Sequence, residues 1–379
     1  MAHRAGSTGI DATLYRKEGP WCTAFVDASL GTTAAQEAAD TLPDTVARLL
    51  QSQQAAPGDI EAIRAVLVPA EGRPAPVARF VAVTGGEVVL DELVPGVQAG
   101  APHVECGPFP NLVPLARARG GQFPYVLAEV GRDGGEVTLR HSALPGVAES
   151  RSVEGDPEEA HHARRVPGRY AEPQNRSQTE EIWRRNADEI AGHIDEVVRG
   201  SSARLVVLAG DVKARELVLG QLAEATRALA VEIGQNTRAG GTDQSHAAQA
   251  VEAKVAEVQA LDLEALTEKI GNRASGEHPA AVFGFEEVVS ALQQAQADTV
   301  LVSEFQDEHT LLALDAEPWL ATDASGTPGA GVIGEWPAPE VLLRAAALTD
   351  AAIRYVPPGV LPNGAGIAAL LRWPNGHAG

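Results

Sequence analysis

The sequence is poor in cysteine, lysine and aromatic residues, and it has no long hydrophobic run. Its two cysteines, Cys22 and Cys106, are far apart in the chain, which argues against a disulfide framework and fits a reducing cytoplasm. No apolar run approaches the roughly 18 residues that a transmembrane helix needs, so we expect no membrane partner. The N-terminal residues, MAHRAGSTGIDATL, lack the apolar core of a signal peptide. We therefore predict a cytoplasmic protein.

The composition is that of a globular protein with an acidic balance. Of the 379 residues, 44% are hydrophobic and 21% are charged, and this length suits two or three domains. The 30 basic residues face 51 acidic ones, for a net charge of −21. Such a charge argues against a broad basic surface for nucleic acid, but it permits a local basic patch. Only four of the basic residues are lysines, and we derive no mechanism from that bias.

One local stretch reverses the charge of the chain. Residues 161–186, HHARRVPGRYAEPQNRSQTEEIWRRN, contain six arginines and three glutamates. Arginine binds phosphate, tyrosine stacks on bases, and glutamine and asparagine hydrogen-bond base edges. We predict an RNA-contact loop here, with the residues Arg164, Arg165, Arg169, Tyr170, Gln174, Asn175, Arg176 and Gln178. A solvated surface loop is the alternative, because most charge runs are solvated.

Periodicity and turn signals predict an α/β protein of three domains. The first, residues 1–116, begins with a mobile tail, followed by a strand at 19–27 and helices at 33–54 and 59–68. Leu42, Val46, Leu49 and Leu50 would form the apolar face of the first helix. A hairpin at 78–93 turns at Gly85-Gly86.

The second predicted domain covers residues 117–238 and has a mixed sheet. It begins with a hairpin at 123–142, continues through a long loop at 143–176, and reaches a helix that Ser177 or Thr179 caps. That helix would bury Ile182, Ala187, Ile190, Ile194 and Val197. The apolar run at 203–210 predicts a strand buried on both faces, followed by a helix at 211–228.

The third predicted domain covers residues 239–379. A linker at 236–245 leads into a long helix at 246–271. Helices and strands then alternate, with a Pro/Gly-rich loop at 315–339, which predicts an α/β/α sandwich.

Three short motifs have a functional and a structural interpretation. GAGVIG at 329–334 matches the dinucleotide pattern, but it precedes two prolines instead of opening a helix, so we interpret it as a loop. Gly120-Gly121-Gln122 spells the triplet of ester-hydrolysing release factors, although its place directly before a strand favours a turn between domains. Glu158, Glu159, His161 and His162 lack further ligands, so we predict no metal site. We find no cofactor motif.

The second and third domains resemble a known family. FPYVLAEVGRDGGEVTLRHS, the long loop, NRSQTEEIWRRNADEIAGHI and RLVVLAGDVKAREL are similar to the central domain of archaeo-eukaryotic class-one release factors and Pelota. VFGFEEVVSALQQAQADTVLVSE, LTDAAIRYVPP and NGAGIAALLRW resemble their third domain, which has an L7Ae-like fold. The divergent N-terminal domain contains PFPNLVPLARAR, which resembles actinobacterial members of the bacterial release-factor-like group, to which Balon also belongs.

The resemblance covers roughly residues 15–373 and implies a function. Family members occupy the ribosomal A site and reach the peptidyl-transferase centre. The expected partners are therefore the rRNA of the 70S ribosome and, for a Balon-type protein, elongation factor Tu. Hibernation or rescue would be the role.

The resemblance also bears on catalysis. Release factors carry Gly-Gly-Gln at the loop tip, whereas GRYAEPQNRSQ at 168–178 has Gln174 and Gln178 without a glycine pair. We therefore expect no ester hydrolysis and no catalytic residue. The alternative is a release factor or peptidyl-tRNA hydrolase that uses Gln174 or Gln122, and a third hypothesis is an interaction protein unrelated to ribosomes.

Overall fold

The structure, a computed structural model, describes residues 9–30, 33–70, 76–131, 134–141, 147–154, 172–201, 203–234, 242–275, 278–304, 309–323, 325 and 329–374. The chain forms two compact units: Met1–Gly121 with Asp262–Gly379, and Gln122–Leu261. Both units mix helices and sheets, so the predicted α/β class is confirmed. The division into three domains that end at residues 116, 238 and 379 stays a prediction.

The N-terminal part of the first unit is an antiparallel sheet with helices on both faces. In spatial order its strands are β3 (Glu87–Pro95), β2 (Val77–Thr84), β1 (Trp21–Asp27) and β4 (His103–Gly107). Its helices are α1 (Thr13–Arg16), α2 (Thr33–Ser52), α3 (Pro57–Val66) and α4 (Val113–Gly120). Gly85 and Gly86 both have positive φ, +60° and +76°, as a type I′ hairpin turn requires.

The apolar face of α2 was predicted correctly except at one position. Val46 and Leu50 are buried in a cluster with residues of α3 and of strands β1 and β2. Leu49 is instead exposed on the outer face. The reason is the helical period, because a residue adjacent to Leu50 is turned by about 100° from it.

The C-terminal part of the first unit contains two small sheets. One has the order β10 (Ala281–Phe283), β16 (Ile367–Leu371), β11 (Ala297–Val302) and β15 (Ala352–Tyr355), and only β11 and β15 pair in parallel. The other has the order β13 (Leu320–Ala321), β12 (Thr310–Leu314) and β14 (Val332–Pro337). Helices α9 (Phe285–Gln293) and α10 (Ala338–Leu348) pack on them, and a 3-10 turn spans Pro362–Gly364.

Strand β14 corrects the interpretation of GAGVIG as a loop. The last three residues of the motif, 332–334, belong to β14, in which Val332 and Gly334 pair with β12, so this half of the motif is strand. The helix that follows begins only at Ala338. The strand β13 likewise lies within the predicted loop at 315–339. Both strands were missed because β13 has only two residues and β14 begins in a glycine-rich stretch, so only their pairing with β12 reveals them.

Helix α10 lies at the centre of the first unit. All residues from Ala338 to Ala346 are buried, which explains its nearly continuous apolar sequence. The helix belongs to one core cluster with Trp21 and Phe80 of the N-terminal sheet and with Val300 of β11. The N-terminal and C-terminal segments of this unit therefore share a single hydrophobic core.

The second unit is a five-stranded mixed sheet between helices. Its order is β7 (Val147–Glu154), β6 (Gly134–His141), β5 (Pro124–Gly131), β8 (Val206–Gly210) and β9 (Ala230–Glu232). The last three strands run parallel. Helices α5 (Glu172–Ser201) and α6 (Val212–Gln221) pack on one face of this sheet and form a hydrophobic core cluster with it. Helix α7 (Glu224–Arg227) follows, and α8 (Thr242–Ala274) packs its Val251 and Val255 on the other face.

The predicted loop at 143–176 is wrong at both ends. Residues 147–154, VAESRSVE, form the edge strand β7, which pairs antiparallel with β6. This strand has few apolar residues, so only its pairing with β6 reveals it. Helix α5 begins at Glu172, five residues before the predicted cap at Ser177. Pro173 is compatible with this start, because proline is tolerated in the first turn of a helix.

Candidate functional site

The structure defines the two ends of the predicted RNA-contact loop. Strand β7 ends at Glu154 and helix α5 begins at Glu172. The candidates Arg164, Arg165, Arg169 and Tyr170 lie between them, outside the described residues, as do Glu158, Glu159, His161 and His162. Gln174, Asn175 and Arg176 belong to the first turns of α5 and not to a loop, and Gln178 follows on the same helix. Their role in binding stays a prediction.

Helix α5 is held firmly on the sheet beyond these first turns. Ala187, Ile190 and Ile194 are buried in the core of the second unit, as predicted. Gly135 of β6 makes the close approach possible, since a Cβ atom there would lie 2.9 Å from Cδ1 of Ile190. The candidate contact residues therefore lie before or on the first turns of a helix whose later turns are anchored by apolar packing.

A tryptophan of α5 lies beside the start of α6. The ammonium of Lys213 is 5.3 Å from the ring centroid of Trp183, a cation–π contact. Asp211 caps α6 by accepting hydrogen bonds from the backbone N–H groups of Lys213 and Ala214, at 3.0 and 3.1 Å. Its own carboxylate thus satisfies the helix N-terminus, where an anionic ligand would otherwise find donors.

The turn before that cap depends on Gly210. Its φ is +108°, and a Cβ atom at this position would lie 2.1 Å from the carbonyl oxygen of Val130 on the neighbouring strand. Only glycine allows β8 to approach β5 this closely and then turn into α6. Gly210, the last residue of the predicted buried strand, is therefore required by backbone packing.

A small apolar cleft lies under Trp183. Its volume is about 10 Å³, roughly the space that one water molecule needs. Its walls are formed by Gly131, Trp183, Ala187, Ile190, Ala214, Leu217 and Val218, without an ionisable side chain among them. The cleft thus offers no acid, base or nucleophile for chemistry.

The Gly-Gly-Gln triplet lies at the end of a helix. Gly120 is the last residue of α4, and a Cβ atom on it would meet Cδ2 of Tyr355 at 2.3 Å. Gly121 has the right-handed φ of −80° that any residue can adopt. The first glycine therefore makes room for the Tyr355 ring, a packing contact within the first unit, whereas Gln122 is the first residue of the second unit.

The described part of the chain contains neither a metal-binding cluster nor a membrane-spanning helix. Among these residues, no three or more His, Cys, Asp and Glu side chains gather where they could hold a metal ion. No helix within the described ranges combines the length and apolar character needed to cross a bilayer.

The structure brings together an ionisable cluster that the sequence analysis did not single out. Glu105 of β4 and Glu340 of α10 share a carboxyl–carboxyl hydrogen bond, and Glu340 is buried. Burial raises the pKa of Glu340 to about 8, with a further contribution from the charge of Glu105. The side-chain amide of Asn111 donates a hydrogen bond to Oε2 of Glu105 at 2.5 Å. Nε2 of His103 lies 3.7 Å from the same oxygen. No sequence signal could reveal this cluster, because Glu105 and Glu340 meet only through the fold.

A buried arginine lies near this cluster. The guanidinium of Arg344 is 5.3 Å from the ring centroid of Phe109 and 5.7 Å from that of Trp319. Its Nη1 donates to the carbonyl oxygen of Trp319 at 3.3 Å. Burial lowers the pKa of Arg344 from its ordinary value. The rings and the carbonyl group support the charge in place of water.

Comparison with known proteins gives one family match. The profile of bacterial archaeo-eukaryotic release factor family 2 matches residues 124–277. Rv2629, an uncharacterized protein of Mycobacterium tuberculosis strain H37Rv, is 24% identical over 314 residues, which is 82% of each chain.

Solved structures with release-factor folds are also similar to this chain. Dom34 of Saccharomyces cerevisiae, a translation termination-like factor, has a TM-score of 0.44 and 9% identity, with 79% of this chain and 82% of Dom34 covered. Archaeal Pelota, in a ribosome-bound model with ABCE1, has a TM-score of 0.40 and 12% identity, with 96% and 93% covered. Residues 124–277 of this chain therefore resemble the bacterial archaeo-eukaryotic release factor family 2, whose profile they match.

Proposed function

We propose that this protein is a translation factor that binds the ribosome through the segment between β7 and α5 together with the first turns of α5. The observation that carries the proposal is the place of the basic residues. In a chain of net charge −21, residues 161–186 contain six arginines and three glutamates, and they lie within the region that matches the release factor family. A local basic patch is the feature that lets an acidic protein contact a phosphate backbone.

The side chains of this segment have distinct proposed roles. Arg164, Arg165, Arg169 and Arg176 contact rRNA phosphates, since guanidinium groups bind phosphate oxygens in a bidentate manner. Tyr170 stacks on an unpaired base, and Gln174, Asn175 and Gln178 hydrogen-bond rRNA or tRNA ends. The buried later turns of α5 support these residues from one side.

The proposal extends to the binding site and the physiological role. We place the segment in the A site of the 70S ribosome, directed towards the peptidyl-transferase centre, in hibernation or rescue. Elongation factor Tu is the proposed partner, and a cytoplasmic location follows from this role. The protein does not hydrolyse the ester bond, because residues 168–178 lack the glycine pair that brings backbone N–H groups to the developing oxyanion.

The test is co-sedimentation of the full chain with vacant 70S ribosomes at two salt concentrations, with and without elongation factor Tu and GDP. We expect binding that weakens as salt rises. Replacing Arg164, Arg165, Arg169 and Arg176 by alanine should weaken binding and reduce the salt slope by about 3, if all four contact phosphates. Undiminished binding of this variant would contradict the proposed contacts.

A matched control removes the same charge elsewhere. Arg16, Arg48, Arg64 and Arg199 are exposed, and they lie outside the segment that we propose to contact rRNA. Their replacement by alanine should leave the affinity for ribosomes close to that of the natural chain. Equal losses in both quadruple variants would indicate a general charge effect and not a defined contact.

Hydrolysis is tested separately with peptidyl-tRNA bound to isolated ribosomes. We expect no release of peptide above the level without protein. Release that disappears in a Gln174→Ala or a Gln122→Ala variant would favour a release factor or peptidyl-tRNA hydrolase instead. Failure to bind any ribosome state would favour an interaction protein unrelated to translation.

A further inference from the structure

The two cysteines of the chain face each other across two neighbouring strands. Cys22 on β1 and Cys106 on β4 are direct partners in the antiparallel register, although 83 residues separate them in sequence (positions 23–105). Both are free thiols. Cys22 is 2% exposed, and Cys106 is partly exposed at the edge strand of the sheet.

The hydrogen bonds of β4 identify the type of this pair. The backbone N–H of Cys106 donates to Oε1 of Gln53 at 2.8 Å, and the Nε2 of Gln53 donates to the carbonyl oxygen of Val104 at 2.9 Å. These backbone groups point away from β1. Cys22 and Cys106 therefore form a non-hydrogen-bonded pair, in which the Cα atoms of facing residues are about 4.5 Å apart. That separation lies within the range of disulfides.

The two sulfur atoms already interact. The thiol groups of Cys22 and Cys106 share a hydrogen bond, which lowers the pKa of Cys106 and raises that of Cys22. Burial and the nearby charge of Asp59 also raise the pKa of Cys22. Cys106 is thus both the more accessible thiol and the more readily ionised one, which are the two properties of an attacking thiolate.

We propose that Cys22 and Cys106 are a reversible redox pair that closes into a cross-strand disulfide when a low-molecular-weight disulfide is present. The thiolate of Cys106 attacks one sulfur of that oxidant, forming a mixed disulfide and releasing one thiolate. Cys22 then loses its proton to the solvent and attacks the sulfur of Cys106, and the second small thiol leaves. The protein loses two protons and two electrons, and the oxidant is reduced to two thiols.

The position of the pair gives the disulfide a structural effect. It joins β1, at the centre of the N-terminal sheet, to β4, whose outer edge is otherwise held by Gln53. Glu105, the neighbour of Cys106, carries the hydrogen bond to Glu340 of α10. Oxidation therefore adds a covalent bond between β1 and β4, and β4 is the strand whose Glu105 contacts the central helix α10.

The experiment equilibrates the reduced full chain with graded ratios of oxidised to reduced glutathione. After acid quenching and alkylation of free thiols, digestion and mass spectrometry identify the products. We expect a Cys22–Cys106 linked peptide that is lighter than the two reduced peptides by two hydrogen atoms. Its fraction should rise with the ratio and return to zero with excess dithiothreitol.

Two single variants assign the order of attack. In Cys22→Ser, Cys106 should accumulate as a mixed disulfide with glutathione, because no resolving thiol remains. In Cys106→Ser, the buried Cys22 should stay a free thiol at every ratio. Circular dichroism verifies that both variants are folded.

Three results would overturn the proposal. The first is a natural chain in which both thiols stay free at the highest ratio. The second is a natural chain in which Cys106 carries glutathione without forming the linked peptide. The third is equal modification of the two cysteines in the single variants, because that result would indicate reaction through unfolded protein.

Discussion

Glu105 and Glu340 share a hydrogen bond between their carboxyl groups in the core of the first unit. Glu340 is 7% exposed, and its pKa is raised to about 8, while the pKa of Glu105 is lowered. Hydrogen bonds from His103 and Asn111 stabilise the ionised form of Glu105. The pair therefore holds one proton near neutral pH, and that proton lies on Glu340.

This pair predicts a pH dependence of stability. Between pH 4.5, the ordinary pKa of the carboxyl group, and about 8, the folded chain keeps the proton of Glu340 and the unfolded chain has lost it. The folded state binds more protons in this window, so its stability falls as the pH rises. The effect of Glu105 lies below this pH window. Because the pKa of Glu105 is lowered in the folded chain, its ionised form stabilises the fold, and this stabilisation is lost as the pH falls below 4.5.

Replacing Glu340 by glutamine should remove most of the decrease in the free energy of unfolding between pH 5 and pH 8. At pH 8.5 we expect the variant to be more stable than the natural chain, by on the order of 2 kcal/mol, because a neutral amide can donate to Glu105 without a buried second charge. The free energy of unfolding in urea is measured by fluorescence in a Trp183→Phe background, which leaves the four tryptophans of the first unit.

The control for this prediction is Glu286→Gln on α9. Glu286 is exposed, so its replacement should leave the pH profile unchanged. If Glu340→Gln keeps the same pH profile as the natural chain, the shared proton is not on Glu340.

Replacing Gly210 by alanine should destabilise the second unit by on the order of 3 kcal/mol. The φ of +108° disfavours a Cβ atom, and that atom would meet the carbonyl oxygen of Val130 at 2.1 Å. Gly192 of α5 is the matched control, because its Cβ position is open and alanine favours a helix by up to ~1 kcal/mol. Calorimetric melting temperatures should therefore move in opposite directions.

The first glycine of the Gly-Gly-Gln triplet should matter for stability. Gly120→Ala should destabilise the first unit by on the order of 2 kcal/mol, since the Tyr355 ring occupies the space that the methyl group needs. Gly121→Ala should be nearly neutral, as its nearest contact would be an ordinary 3.6 Å. Urea unfolding compares the two variants, and equal destabilisation would contradict a packing role specific to Gly120.

An ion pair between the buried Arg215 and the exposed Glu232 links α6 to β9 in the second unit. Nη1 of Arg215 is 3.1 Å from Oε2 of Glu232, and the Arg215 side chain is 7% exposed. Glu232→Gln should cost on the order of 2 kcal/mol, because it leaves a buried cation without its counter-charge. The double variant Arg215→Met with Glu232→Gln should recover much of this loss. A double-mutant cycle measures the coupling, and strictly additive losses would show that the pair does not interact.

Local signals in the sequence account for much of the fold. The glycine pair at 85–86 predicted the first hairpin, and the apolar run at 203–210 predicted the buried strand β8. The burial of Ala187, Ile190 and Ile194 followed from helical spacing. These features depend on residues close together in the chain, where periodicity and turn chemistry are sufficient. The family resemblance also rested on such segments, and the match at residues 124–277 bears it out.

Tertiary structure decided the features that depend on the pairing and packing of whole elements, whether these are neighbours or distant in sequence. The polar strand β7 exists through its pairing with β6, and the strands within GAGVIG and at Leu320–Ala321 exist through β12. Cys22 meets Cys106 because β4 returns to pair with β1, and Glu105 meets Glu340 because α10 is buried against the N-terminal sheet. No local pattern encodes such meetings, since they follow from the packing of whole elements in one core.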